Sequence, residues 1–168
     1  MEKINYVQGF NWLGIYQLIG GILGVYYLSV FTLQVQEFTS TLLVLIGLGF
    51  IMFLFSVYCG ISIFKKETNS LKCSLINQYL QLFVISGPGI AFQYVAGVSV
   101  LFGFNITDQF RIYLDASLSA WSISIGTNMS DRLIAVNLIA IGLVFLLHYI
   151  LNDINREKVR DLVNSIGS

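Results

Sequence analysis

Apolar residues occur along this chain in four long blocks that contain no charged side chain. The blocks follow Lys3, Glu37, Lys72 and Arg132, and together they hold 115 of the 168 residues. A helix needs about 20 apolar residues to cross the hydrocarbon core of a membrane. Charged residues make up only 11% of the chain, against roughly 25% in soluble domains. The pattern predicts an integral membrane protein, with residues 1–168 forming one membrane domain.

The first two blocks predict a tight helical hairpin. We expect spans at residues 12–35 and 41–64, joined by a five-residue link. So short a connection places the two helices antiparallel and adjacent. Thr39 or Ser40 can cap the second helix, because a hydroxyl oxygen at the N-cap accepts a backbone hydrogen bond from the first turn.

The third block is too long for one straight crossing, and Ser86-Gly87-Pro88-Gly89 interrupts it. Proline removes a helical hydrogen bond and clashes with the preceding turn. The spacing of Leu71, Leu75 and Tyr79 indicates an amphipathic helix at the inner surface, which enters the membrane and kinks at Pro88. We therefore predict a third span at residues 83–104; a re-entrant loop is the less favoured alternative.

The last block predicts a fourth span at residues 133–151, followed by a short amphipathic cytoplasmic helix over residues 152–168. The resulting fold class is an all-α membrane protein. Its architecture is a four-transmembrane-helix bundle with a kinked third helix. A small outer cap, a hairpin or a helix, lies between helices 3 and 4.

The outer cap, residues 105–132, has an ambiguous pattern. Apolar residues alternate with polar ones from Ile112 to Leu118, the phase then shifts, and Trp121 to Ile125 alternate with serines. This favours two strands with a turn near Ser119. The same residues also fit one face of a helix. The serine and β-branched content tilts the interpretation slightly toward strands.

Lys and Arg residues predict the orientation of the bundle. Seven of the nine lie in the N-terminus, the link after residue 64 and the C-terminal tail, whereas Arg111 and Arg132 lie on the other side. Cytoplasmic loops carry the excess of these residues. We expect a multi-pass protein of the bacterial inner (plasma) membrane with both termini in the cytoplasm.

Small and amide residues form a stripe along each predicted span. Such residues allow helix backbones to approach closely and to form hydrogen bonds across the bundle. A polar pocket at the centre of the bundle is the alternative function for the same stripes. The residues singled out are Gln17, Gly20, Gly24, Ser56, Gly60, Ser86, Pro88, Gln93, Gly97, Asn137 and His148.

No catalytic or metal-ligand pattern is visible. His148 is the only histidine, and Cys59 and Cys73 do not form a CxxC pair; we expect two free thiols and no metal or cofactor. The net charge is zero and the longest basic run is Lys65-Lys66, so nucleic-acid binding has no electrostatic basis.

Function is then inferred mainly by exclusion. We expect a non-enzymatic membrane subunit or accessory protein whose partners are the lipid bilayer and other membrane protein subunits or copies of itself. The alternative is a small oligomeric transporter or channel that uses the helix break at Pro88, because broken helices at membrane depth line binding sites. The least favoured hypothesis is a membrane enzyme, whose activity would depend on Asp108, Asp115 or His148.

Overall fold

A computed structural model describes residues 10–67, 69–107, 110–125 and 132–166 of the chain. Within these residues the fold combines long helices with an antiparallel sheet, so the prediction of an all-α four-helix bundle is wrong. The elements, in chain order, are α1 (Asn11–Gln34), α2 (Ser40–Phe64), α3 (Ser70–Leu80), β1 (Phe83–Gly87), β2 (Ile90–Asn105), β3 (Arg111–Ile125), β4 (Leu133–Asn137) and α4 (Leu138–Ile166).

The hairpin of α1 and α2 is confirmed, and its boundaries differ from the predicted spans by one residue. Thr39 caps α2, since its hydroxyl oxygen accepts a hydrogen bond of 3.2 Å from the amide of Leu42. Glycines bring the two helices together: a Cβ on Gly60 would lie 2.7 Å from the carbonyl oxygen of Gly14. Small residues on facing helices allow this close backbone approach.

The predicted third span, 83–104, is not a helix. The amphipathic helix before it exists as α3, but the chain continues as β1 and β2. Pro88 and Gly89 connect these strands, because Gly87 pairs with Ile90 across a two-residue turn. A proline followed by a glycine at φ +84° has the sequence and dihedral of a type II turn. Pro88 therefore ends a strand rather than kinking a helix.

The sheet has the order β1-β4-β2-β3, and β1 also pairs with β2. Strands β1, β2 and β4 are thus mutually antiparallel. Three mutually antiparallel strands are impossible in a flat sheet, so β2 must change direction along its length. The change falls between Phe92, the last residue paired with β1, and Leu101, the first paired with β4, and this stretch contains the register shift between Val95 and Val98. Gly97, at φ +113°, lies inside that bulge.

The described part of the outer cap is a single long strand. β3 pairs with β2 from Ile125 opposite Ile90 to Arg111 opposite Asn105. Strand structure is confirmed and the helical interpretation is wrong. The predicted pair of strands with a turn near Ser119 is also wrong, because Ser119, at φ 44°, lies within one continuous strand. Residues 108–109 and 126–131 of the predicted cap lie outside the described residues.

The predicted fourth span begins as a strand and then becomes a helix. Residues 133–137 form β4, and α4 follows without a loop. The change from strand to helix occurs at Asn137. Its side-chain Oδ1 accepts hydrogen bonds from the backbone amides of Ile139 and Ala140 and so caps the N-terminus of α4. The predicted separate tail helix is the continuation of α4, which runs to Ile166; residues 167–168 lie outside the described residues.

The start of α1 and the middle of α4 lie at the same end of the fold. Leu13 of α1, Ile63 of α2, Leu71 of α3 and Leu147 of α4 form one buried cluster, and Phe10 and Ile154 pack against it. Three helices among the described residues are long and apolar enough to cross a membrane: Asn11–Gln34, Ser40–Phe64 and Leu138–Glu157. The predicted third span is not among them, so the predicted count of four spans is not supported.

Candidate functional site

Buried polar side chains connect the helices to the sheet. Ser56 of α2 donates to the backbone carbonyl of Gln17 (3.0 Å), and Ser74 of α3 donates to Oε1 of the same glutamine (3.0 Å). Asn77 donates through Nδ2 to Ser56 Oγ at 3.1 Å. We call this group the polar core. Its members are Gln17, Ser56, Ser74, Asn77, Gln81 and Tyr94, all of them neutral and fully buried.

The polar core also binds the backbone of β2 where that strand bends. Gln81 accepts a hydrogen bond of 2.9 Å from the amide of Ala96, and its Nε2 donates to the carbonyl of Asn77. The Tyr94 hydroxyl lies 2.8 Å from the carbonyl of Met52 and 3.0 Å from Oδ1 of Asn77. Gln81 thus supplies the partner that the buried amide of Ala96 requires at the bend, and Tyr94 ties β2 to the backbone of α2. This arrangement supports a structural role for the polar core.

Ser119 joins the bend of the sheet to the middle of α1. Its hydroxyl donates to the carbonyl of Gly20 (2.9 Å) and accepts from the amide of Gly97 (3.0 Å). Tyr16, one turn earlier on α1, donates to the carbonyl of Val98 at 2.8 Å. The bend is therefore fixed to the helix by two hydrogen bonds, and Ser119 also joins β2 to β3.

A few buried polar atoms have no hydrogen-bond partner among the described residues. Gln78 is the clearest case, because both its Oε1 and its Nε2 are buried without one. The Nε2 of Gln17 and the Nδ2 of Asn137 are also buried without a partner among these residues, whereas the side-chain oxygen of each amide accepts a hydrogen bond. Unsatisfied buried groups of this kind destabilise a fold and so call for explanation.

From the bend to Asn105 of β2 and Arg111 of β3, the sheet presents an apolar face to its surroundings. Along β2 and β3 the pairs Val98–Leu118, Val100–Ala116, Phe102–Leu114 and Phe104–Ile112 occupy this face, and the register continues it onto β4 and β1. We call it the outer sheet face. Ile112 and Leu114 are 70% and 71% exposed. The exposed residues of the face are Phe83, Ile85, Val98, Phe102, Phe104, Ile112, Leu114, Ala116, Leu118 and Ile134.

The opposite face of the sheet is closed and partly polar. Val84, Leu101 and Ala135 form a small buried cluster there, and Tyr113 packs against it. Ser99 and Ser117 lie on the same side with their hydroxyl oxygens 2.8 Å apart. The sheet is thus apolar outside and more polar inside, which is the pattern of a surface that faces lipid and the reverse of a soluble protein.

One strand of the sheet has an open edge. β1, β2 and β4 close on one another, and among the described strands β3 pairs only with β2.

An apolar cavity of about 460 Å³ lies between α1, α2 and the second half of β3. Trp121 lines it and forms ring contacts with Phe53, Phe92 and Tyr94 at centroid distances of 6.3–6.4 Å. Leu28 and Ile46 line its helical walls. No charged residue lines this cavity among the described residues, so it suits apolar contacts rather than a polar substrate.

The structure divides the predicted site residues into two groups. Gln17 and Ser56 belong to the polar core, and Gly20 contacts Gly97 at the bend. Gly24 lies against the ring of Phe53 and Gly60 against Gly14, so both serve helix packing.

The remaining predicted residues are separate from the polar core. Ser86 and Gln93 are half-buried in strands, and Pro88 is exposed in the turn between them. Asn137 caps α4. His148 is exposed on α4, where its Nε2 lies 2.6 Å from the hydroxyl of Tyr79.

The sequence analysis missed the residues that hold the bend. Asn77 and Gln81 could have been found from the amides that recur at helical spacing at the end of α3, whereas Ser74 and Tyr94 had no such signal. Ser119 had no comparable signal, because it is one of several serines in β3.

Within the described residues no group of three or more His, Cys, Asp and Glu side chains could hold a metal ion. The thiols of Cys59 and Cys73 are unpaired. Comparisons of the chain with family models, with curated proteins and with solved structures give no match. The function is therefore argued from the geometry alone.

Proposed function

We propose that the protein is an integral membrane subunit, without enzymatic activity, that binds another membrane protein chain through β3 and the outer sheet face. The observation that supports this proposal most directly is the exposed, apolar face of a sheet that is fixed to helices long enough to cross a membrane. Monomeric soluble proteins rarely expose continuous apolar patches larger than a few hundred Å².

The depth of the sheet supports membrane embedding. Gly20, which contacts the bend, is the tenth of the 24 residues of α1. Met52, which contacts Tyr94, is the thirteenth of the 25 residues of α2. If α1 and α2 cross the bilayer, the bend of the sheet lies near the bilayer centre. The exposed apolar side chains of the outer sheet face then contact lipid tails or protein, and the polar core stays away from both.

The basic residues support a cytoplasmic position for both ends of the chain. Lys65, Lys66, Lys72 and Arg156 are close in sequence to the parts of α2, α3 and α4 that form the cluster around Leu13. Arg111 begins β3 and Arg132 directly precedes β4 instead. An excess of Lys and Arg marks the cytoplasmic side, and the proposed location is the bacterial inner membrane.

The transporter alternative loses the feature on which it depended. It required a broken helix at Pro88, but Pro88 lies in a turn between two strands. The described residues offer no other observation that favours transport over binding, so binding is the single function proposed.

The test is extraction of the tagged protein into native nanodiscs from its own host, followed by quantification of chains that co-purify at fixed stoichiometry. The variant I112A/L114A removes two exposed side chains of the outer sheet face, and V44A/F145A removes two helical side chains of nearly equal exposure. The proposal expects a protein partner, or a second copy of this chain, that the first variant loses and the second retains. A protein that is monomeric without any bound chain would contradict it.

A further inference from the structure

The apolar cavity between α1, α2 and the second half of β3 is large and offers water few partners. Its volume of about 460 Å³ is roughly three times that of an apolar cavity that holds a benzene molecule. Ser119 lines the cavity, but its hydroxyl is already bonded to Gly20 and Gly97. An apolar cavity left empty destabilises a protein in proportion to its volume, because the side chains around it lose van der Waals contacts. An apolar occupant is therefore favoured.

The cavity matches one leaflet of a bilayer in length and depth. Along α2 its lining extends from Leu42, in the first turn, to Phe53, near the middle of the helix. The two residues are eleven positions apart, which corresponds to about 16 Å along a helix. Half of the hydrocarbon core of a membrane is about 15 Å thick. If α2 crosses the bilayer, the cavity runs from the outer boundary of the hydrocarbon core to its centre.

The opening of the cavity lies on a surface that faces lipid if α1 crosses the membrane. Tyr27 and Phe31 of α1 line the cavity and are 46% and 50% exposed, whereas Leu28 and Ile46 are buried in its walls. Among the described residues no charged side chain lines the cavity. An apolar chain can therefore enter from the side of the bilayer without passing a charged group.

We propose that the apolar cavity binds one acyl chain of a phospholipid from the outer leaflet. The end of the chain lies toward Phe53, and the head group lies beside the link between α1 and α2. The inference rests on the proposed function, because only a membrane position supplies lipid chains at this depth. Lipid chains are as apolar as the lining, so binding depends on van der Waals contact with walls that are otherwise bare. The bound chain fills the space between the helical hairpin and β3.

Native mass spectrometry of the full chain, released from nanodiscs of palmitoyl-oleoyl phosphatidylglycerol, tests the proposal. L42F/L45F places two larger side chains in the cavity lining, and L43F/L48F makes the same substitutions at exposed positions of α2 outside it. At a collision energy that removes the other lipids, wild type and L43F/L48F should retain one phospholipid per chain. L42F/L45F should retain it roughly tenfold less often, because overpacking opposes the bound chain.

A fluorescence titration provides the second measurement and needs no cavity variant. W12F leaves Trp121, which lines the cavity, as the only tryptophan. The probe is cis-parinaric acid, a fatty acid whose conjugated chain accepts energy from tryptophan. In detergent micelles the energy transfer should saturate at one fatty acid per chain, so a folding defect in L42F/L45F cannot decide the outcome.

Loss of every lipid from the wild type, equal retention in L42F/L45F and L43F/L48F, or energy transfer that rises without saturation would each overturn the proposal. If these results occur while another chain still co-purifies and is lost in I112A/L114A, the proposed function stands and only the lipid site is wrong. One retained lipid without any co-purifying chain would support the lipid site and contradict the proposed function.

Discussion

Gly20 of α1 and Gly97 of β2 meet so closely that a Cβ on Gly20 would overlap the amide nitrogen of Gly97. The contact exists because both residues lack a side chain and because Ser119 bonds to the backbone of each. It joins a helix long enough to cross a membrane to the point where the sheet changes direction. The position of the sheet along the helices therefore depends on it.

The contact predicts that Gly20→Ala destabilises the fold. The added methyl group would meet backbone atoms that cannot rotate away, and overpacking of this kind costs about 1–3 kcal/mol. Gly47→Ala is the matched control, because nothing lies within 4 Å of its Cβ position in α2. Thermal unfolding in detergent should show a lower Tm for the first variant only. Equal Tm values for both would contradict the contact.

The hydroxyl of Ser119 should contribute to stability independently. Ser119→Ala leaves the carbonyl of Gly20 and the amide of Gly97 without this partner, at a cost of about 1–3 kcal/mol. Ser122→Ala, at an exposed position of the same strand, should change the free energy of unfolding by less than about 0.5 kcal/mol. Equilibrium unfolding of both variants in the same detergent compares their free energies of unfolding directly. An S119A protein as stable as wild type would contradict a stabilising role for the two hydrogen bonds of Ser119.

Two glutamines one helical turn apart should respond in opposite ways. Gln81→Leu removes the acceptor of the Ala96 amide and should destabilise by about 1–3 kcal/mol. Gln78→Leu removes an amide whose two polar atoms have no partner among the described residues, so the variant should be as stable as wild type or more stable. Chemical unfolding measures both. A large loss of stability in Gln78→Leu would indicate that this amide binds a polar partner.

The turn between β1 and β2 predicts that replacing glycine by alanine destabilises the protein more at position 89 than at position 87. Gly89→Ala forces a side chain into a positive φ of 84° and should cost about 1 kcal/mol or more. Gly87→Ala has open space around its Cβ and no positive φ, so its effect should be smaller. The difference in Tm between the variants checks this. A kinked helix at Pro88 would give no such contrast.

The helical hairpin could be predicted from the sequence, because α1 and α2 are uninterrupted apolar blocks of the length that crosses a membrane. The amphipathic α3 could also be predicted from the spacing of Leu71, Leu75 and Tyr79. In both cases local periodicity and length determine the structure, and tertiary contacts do not override them.

The strands β1 and β2 could not be identified in the same way. Apolar residues occur on both faces of β2, so the alternation that identifies a strand is missing. Because an apolar run of this length was assumed to be a helix, the predicted fold class was wrong. The Pro88-Gly89 pair flanked by β-branched and aromatic residues was the available signal for a hairpin.

The polar core was predicted in part. Gln17 and Ser56 were found because amides and serines are unusual in apolar helices. Their partners on α3 and β2 come from tertiary contacts with a strand that the sequence did not reveal. The role of Ser119 depends on one backbone dihedral and one close helix–strand contact, neither of which leaves a pattern along the chain.

The most direct test of the membrane account is the depth of Trp121, which packs between the helices and the sheet. The chain has two tryptophans, so W12F leaves Trp121 as the only one, and W121F leaves Trp12 at the start of α1. In bilayers of lipids brominated in the middle of the acyl chain, the account predicts strong quenching of Trp121, weaker quenching of Trp12, and little quenching of Trp121 by iodide. Quenching of Trp121 by iodide without an effect of the brominated lipids would place the sheet in water and contradict the account.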